Sequence, residues 1–98
     1  MTDPLRLHID RGQQLLDAAG MVGDQHDLHL WRRRRNDWLA RAAQLLETLH
    51  GPEAASTLRA SARIDAPYSA WQTALPQEID RLHGVLAVMR EFGRADAT

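Results

Sequence analysis

The chain has 98 residues, of which 44% are hydrophobic and 26% charged, and this indicates one soluble globular domain. The absence of cysteine excludes disulfides, thiolate metal sites and cysteine nucleophiles, and the formal net charge of −1 argues against a dedicated nucleic-acid binder. No charge-free stretch approaches the length of a membrane span and no signal-peptide pattern is visible, so we expect a cytoplasmic protein without membrane association.

The composition favours helices along the whole chain, because Leu and Ala dominate and no stretch alternates like a strand. The first predicted helix spans residues 4–19, with Asp3 as its N-cap, Pro4 at its first position and Gly20 just past its end. Gly12 lies on its apolar stripe, where glycine costs up to ~1 kcal/mol relative to alanine. We therefore expect a neighbouring helix to approach closely at Gly12.

The second predicted helix is long and spans residues 24–50, with Asp24 as its cap and Gly51 as its stop. Its apolar residues follow the three-four spacing of a bundle helix. Arg35 interrupts that apolar stripe. The stripe comprises Leu28, Trp31, Trp38, Ala42, Leu45 and Leu49, and it is widened by Leu39 and Leu46.

Two further helices are predicted, each opened by a proline. Pro52 begins a short helix over residues 52–63, and Pro76 begins a fourth helix over residues 76–92 that ends at Gly93. Residues 64–75 between them are expected to form a connector in which Trp71 closes the end of the core. Residues 94–98 are expected to be a frayed tail.

The predicted fold class is therefore all-α, and residues 1–98 form a single-domain bundle of three main helices plus one short helix. The apolar stripes also predict which residues are mostly buried. The predicted core comprises Ile9, Leu16, Trp31, Trp38, Leu45, Ile79, Leu82, Leu86 and Met89.

The segment from Trp31 to Trp38 holds four consecutive arginines between two tryptophans. Interleaved basic and aromatic residues are typical of phosphate contact with base stacking. Consecutive helical residues advance about 100° each, however, so these arginines spread around the helix, and Asp37 partly neutralises them. A solvated face above core tryptophans, a surface for an acidic protein and a nucleic-acid contact all remain open. The candidate partner-binding residues are Trp31, Arg32, Arg34, Arg35, Trp38 and Arg41.

Arg35 is the one strongly charged residue on an otherwise apolar stripe, and its guanidinium can stack on the flanking tryptophans. If it lies inside the bundle, an acid must face it, and Asp17, Glu78 and Asp80 are the candidates. We expect Arg35 to reach water or another chain rather than to form a buried ion pair.

No pattern in the sequence predicts catalysis, a metal site or a cofactor. Asp24, His26, Asp27 and His29 cluster at the start of the second helix, but the acids are better explained as helix-capping residues and a structural zinc site needs four ligands. No serine lies in a nucleophile elbow, and no glycine-rich loop is suited to hold phosphates. We therefore expect a protein that is not an enzyme.

A family resemblance rests on three short stretches of the chain and on a pair of tryptophans. They are Ile9–Leu16, the pair Trp31 and Trp38, Leu45–Gly51 and Gly84–Met89. Their order resembles a small helical accessory domain of bacterial phage-defence proteins, which often precedes a TIR-like or nucleotide-binding effector domain. The resemblance implies a helical adaptor for assembly or docking, and it transfers no site residue.

The leading functional hypothesis is a non-enzymatic interaction module that forms a homodimer or docks onto a partner protein. Its support is the thin core expected of a small bundle, which a second surface would complete. One alternative is a small nucleic-acid-binding regulator that uses the cluster from Arg32 to Arg35, together with Arg41. Another is a phage- or plasmid-borne inhibitor of a host protein, which the sequence does not distinguish from the first.

Overall fold

The computed structural model describes residues 3–63 and 70–96. Within these residues the chain forms four helices and no strand, which confirms the predicted all-α bundle. None of the described helices is both long and apolar enough to cross a lipid bilayer. The helices are α1 (Pro4–Ala19), α2 (Gln25–His50), α3 (Pro52–Ser61) and α4 (Trp71–Asp96).

The first two helices begin at the aspartates predicted from the sequence. The Asp3 carboxylate accepts a hydrogen bond from Leu5 N at 3.0 Å, and the Asp24 carboxylate accepts one from Asp27 N at 2.7 Å. Asp27 in turn accepts from Gly23 N at 3.1 Å, so two backbone donors at the start of α2 are satisfied reciprocally. The capping role expected for Asp24 and Asp27 is thereby confirmed.

Gly51 is the one residue between α2 and α3, and its φ of 94° lies in the region that favours glycine. Pro52 follows at the first position of α3, as predicted. The chain therefore turns sharply, and α3 packs back against α2. α3 ends at Ser61, two residues before its predicted end.

The helices form a ring in the order α1, α2, α3, α4, because α1 packs on α2 and α4, and α3 packs on the same two helices. Contact between α2 and α4 across the centre closes the core. Most of the predicted core is buried, whereas Ile9, Leu45 and Ile79 are only partly buried. Leu46, which widens the predicted stripe of α2, is fully buried, whereas Leu49 is 43% exposed, so the buried face lies closer to Leu46 than the predicted centre of the stripe.

At Gly12, α1 approaches both of its neighbouring helices closely. An added β-carbon there would lie 2.5 Å from Trp38 Cζ2 on α2 and 2.7 Å from Leu86 Cδ2 on α4. No side chain larger than hydrogen fits at this distance, which confirms the predicted close helix contact.

The predicted bounds of α4 are wrong at both ends. α4 begins at Trp71, so Pro76 lies inside the helix instead of opening it, and only residues 64–69 of the expected connector lie outside the described residues. Ala70 O accepts from the backbone N–H groups of Thr73 and Ala74, both at 2.9 Å, which forms the first turn. Burial of Ala74 and packing of Trp71 and Leu75 against the core outweigh the cost of the proline.

The C-terminal end of α4 continues through Gly93 to Asp96. The frayed tail expected at residues 94–98 is therefore helical as far as Asp96, and residues 97–98 lie outside the described part of the chain. Phe92 packs against the core and lies 4.9 Å from the His50 ring, measured between centroids. This packing favours the helix beyond the point where Gly93 was expected to stop it.

Candidate functional site

Glu78 on α4 joins two arginines of the predicted basic cluster. Arg32 donates from Nε to Oε1 at 2.8 Å and from Nη2 to Oε2 at 2.7 Å, and Arg35 donates from Nη1 to Oε1. The Glu78 side chain is 4% exposed, compared with 14% for Arg35 and 40% for Arg32. One nearly buried carboxylate therefore holds two guanidinium groups that lie one turn apart on α2.

The charges of this cluster stabilise one another. Burial by itself would raise the pKa of Glu78, but the hydrogen bonds and positive charges of Arg32 and Arg35 outweigh it and lower that pKa below the ordinary value. The same hydrogen bond raises the pKa of Arg32. The lowered pKa of Glu78 and the raised pKa of Arg32 both favour the ionised forms of this pair.

The expectation that Arg35 reaches water or another chain is wrong. Its guanidinium pairs with Glu78, one of the three acids named as possible partners, and it also donates to Asn36 Oδ1 from Nε at 3.3 Å and from Nη2 at 2.9 Å. The guanidinium carbon lies 5.5 Å from the centroid of the Trp31 ring, so the expected stacking contact is present.

Trp38 and His8 connect α1 to α2 through two reciprocal hydrogen bonds. Trp38 Nε1 donates to His8 O at 2.9 Å, and His8 Nε2 donates to Trp38 O at 2.9 Å. The two rings stack with centroids 4.8 Å apart and an interplanar angle of 3°. The sequence alone assigned no role to His8, because its partner lies on another helix.

Both tryptophans of the candidate partner-binding set are core residues. Trp31 is 3% exposed and its Nε1 donates to Leu15 O at 2.8 Å, while Trp38 is 5% exposed. A surface role for either side chain is therefore wrong, because neither presents an aromatic face to a ligand. The interpretation of these two residues as part of the core is confirmed.

Arg34 and Arg41, the remaining members of that set, lie on the wall of a groove between α1 and α2. We call it the α1–α2 groove, and its volume is about 380 Å³. Arg11 enters it from α1, and no ion pair involves these three arginines among the residues that the structure describes. Sequence spacing within α2 does not reveal Arg11 as their neighbour. The groove is lined by His8, Arg11, Gln14, Leu15, Arg34, Asp37, Trp38 and Arg41.

A second groove of about 420 Å³ lies between α2 and α3, and we call it the α2–α3 groove. Apolar side chains form most of its lining, and Arg59 and Arg63 are its charged residues. Both arginines are exposed, and within residues 3–63 and 70–96 neither takes part in an ion pair. Its apolar lining comprises Leu39, Ala40, Ala43, Leu58 and Ala62.

The acidic and histidine residues at the start of α2 do not converge on a common point. Over the described ranges, no group of three or more His, Asp or Glu side chains is arranged to hold a metal ion. Asp24 and Asp27 instead bond to backbone N–H groups, as described above.

Comparison with family models, with curated proteins and with solved structures yields no match to this chain. Its function is therefore inferred from the geometry of its own side chains.

Proposed function

We propose that this chain is a non-enzymatic interaction module that binds an acidic, amphipathic helix of a partner protein in the α2–α3 groove. The observation that supports this proposal is the combination of an apolar groove lining with two exposed arginines that have no partner among the described residues. Helix-in-groove recognition uses this combination, since the apolar face of the bound helix fills the groove while charges at its edge set the orientation.

Small side chains in the groove favour a helical occupant. Ala40 and Ala43 lie on α2 and Ala62 follows α3, so a backbone can approach this surface closely. Leu39 and Leu58 supply larger apolar contacts.

The charge of the groove favours an acidic partner. Arg59 lies in the last turn of α3, and Arg63 lies two residues past the end of that helix, so both positive charges border the groove near the end of α3. A partner helix with acidic residues at this end of the groove can pair with both arginines. Such pairs at the edge of an interface accelerate association and select the partner, while apolar burial provides most of the affinity.

The nucleic-acid alternative finds less support in the geometry. Glu78 holds Arg32 and Arg35, and the tryptophans that would stack on bases are buried. Roles in bacterial phage defence, or as a phage- or plasmid-borne inhibitor, remain proposals about the cellular setting, and the identity of the partner would distinguish between them.

Site-specific photo-crosslinking tests the proposal. A benzophenone amino acid in place of Ala40 should capture a partner segment from the source organism, and mass spectrometry should identify that segment as an acidic amphipathic helix. The same group in place of Ser56, an exposed residue of α3 outside the groove, should not capture it. Capture of a second copy of this chain, or of nucleic acid, would contradict docking of an acidic helix.

A double charge reversal in the groove tests the role of the two arginines, and a second double variant outside the groove is its matched control. Arg59→Glu with Arg63→Glu should weaken binding of the captured segment at least about tenfold, because two attractive pairs become repulsive. Arg6→Glu with Arg33→Glu makes the same change in net charge at exposed positions outside this groove, and it should change the affinity less than about twofold. Equal losses in the two double variants would contradict the proposal.

A further inference from the structure

We propose that the α1–α2 groove is a binding site for a small phosphate-bearing anion, with diphosphate as the simplest member of the class, held by Arg11, Arg34 and Arg41. This site is separate from the α2–α3 groove, so its test does not depend on the function proposed above.

Both walls of the groove carry arginines. Arg34 and Arg41 are seven residues apart on α2, which places them on one face about 10.5 Å apart along the axis. Asp37 lies between them, and Arg11 comes from the opposite wall. Three guanidiniums against one carboxylate leave an excess of two positive charges in the groove lining, and none of the three arginines forms an ion pair with a described residue.

His8 lies beside Arg11 on the α1 wall of the groove. It is 7% exposed, and its Nε2 donates to Trp38 O, so Nδ1 of the neutral ring is an acceptor and would donate to an anion only after protonation. Burial lowers the pKa of His8, and the positive charges of Arg11 and Arg41 lower it further. The positive charges of Arg11 and Arg41 therefore disfavour protonation of His8, and an anion bound in the groove would raise the pKa of His8 again.

The chemistry of the groove favours phosphate over a nucleobase. Trp38 stacks on His8 and is 5% exposed, so the groove offers no free aromatic face on which a base could stack. Arginine side chains present paired donors that match phosphate oxygens, and the Gln14 amide adds one more donor group. The excess of two positive charges matches an anion that carries at least two negative charges.

Isothermal titration calorimetry at low ionic strength tests the site, with sodium diphosphate, ATP and adenosine as separate probes. We expect diphosphate and ATP to bind and adenosine not to bind, since the phosphates are the shared feature. Arg11→Gln, Arg34→Gln and Arg41→Gln should each weaken diphosphate binding by about tenfold, because each removes a charge-assisted contact. Arg33→Gln is the matched control, since Arg33 is exposed on the same helix outside the groove, and it should change the affinity less than about twofold.

The His8 ring reports the location of the anion. In NMR titrations, saturating diphosphate should shift the protonation midpoint of His8 to higher pH. At constant pH it should leave the ring resonances of the exposed His83, which is outside the groove, in place. Melting curves of the free variants confirm that each is folded.

Three results would overturn the proposal. The first is no heat of binding at millimolar diphosphate. The second is an equal loss of affinity in Arg33→Gln and Arg34→Gln, which would indicate unspecific attraction to the basic helix. The third is a ten-nucleotide single strand that binds more than about a hundredfold tighter than diphosphate, which would assign the groove to nucleic acid instead.

Discussion

Glu78 shows how one buried side chain can stabilise the contact between two helices, here α4 and α2. Its carboxylate is the acceptor for the guanidiniums of both Arg32 and Arg35, and it is the one acidic side chain among the buried residues that the structure describes. Without it, two cations on one face of α2 would face each other beside the apolar core. Breaking a buried pair in this way costs more than the pair itself contributes, because an uncompensated charge remains.

Glu78→Gln should therefore lower the free energy of unfolding by about 3 kcal/mol, since it removes the charge and nearly preserves the shape. Urea denaturation followed by circular dichroism measures this loss. Glu91→Gln, at an exposed position of the same helix, is the control and should change stability by less than about 0.5 kcal/mol. A loss below about 1 kcal/mol for Glu78→Gln would show that water can replace Glu78 around both arginines.

At the scale of the helices, the sequence predicts a helix end correctly where residues next to that end determine it. Asp3 and Asp24 are N-caps recognisable from their residue type, and the predicted starts of α1 and α2 are within one residue of those observed. The start of α4 depends on Ala74, whose burial against other helices overrides the signal of Pro76. No pattern within a single helix encodes that burial.

The candidate site was predicted less completely, for a related reason. Helical spacing correctly placed Arg35 on the apolar stripe, but it does not encode how α2 and α4 rotate against each other, and that rotation brings Glu78 to the guanidinium. The α1–α2 groove likewise requires Arg11 from one helix and Arg41 from another. Sequence patterns describe faces of helices, whereas sites form where two faces meet.

Two glycines of the helices should respond oppositely to alanine. Gly12→Ala should destabilise the protein by about 1–3 kcal/mol, because the methyl group would collide with Trp38 and Leu86. Gly84→Ala should stabilise it by about 0.5–1 kcal/mol, because a β-carbon there meets nothing within 4 Å and alanine favours the helix. Thermal melts of both variants check the prediction, and a change of the same sign in both would contradict it.

For the molecule as a whole, the helices are tied together by groups that titrate. His8 links α1 to α2, and Glu78 links α2 to α4. Both groups have a lowered pKa in the folded chain, relative to ordinary values of 6.5 for His8 and 4.5 for Glu78. In each case the unfolded chain takes up the proton more readily, so acid favours unfolding.

Stability should therefore be complete above pH 6.5 and fall in two stages as the pH decreases. His8 accounts for a loss that begins as the pH falls below 6.5, and Glu78 for a further loss that begins below 4.5. The urea midpoint measured between pH 7.5 and pH 3 follows both stages. His8→Gln should remove the first stage alone, whereas His83→Gln should keep both. A midpoint that rises between pH 7.5 and 5.5 would be inconsistent with a buried neutral His8.

The single-residue connection at Gly51 also opposes the exchange of α3 between two copies of the chain. If Gly51 adopted helical angles, α2 and α3 would merge into one rod roughly 55 Å long, which exceeds the 42 Å long axis of the molecule. The apolar face of α3 would then leave its own bundle and could fill the vacated place in a second copy, as in domain swapping. The ring of Pro52 disfavours helical angles at Gly51, and the positive φ of Gly51 turns the chain back. These two residues therefore keep Leu58 and its neighbours in the core of the chain to which they belong.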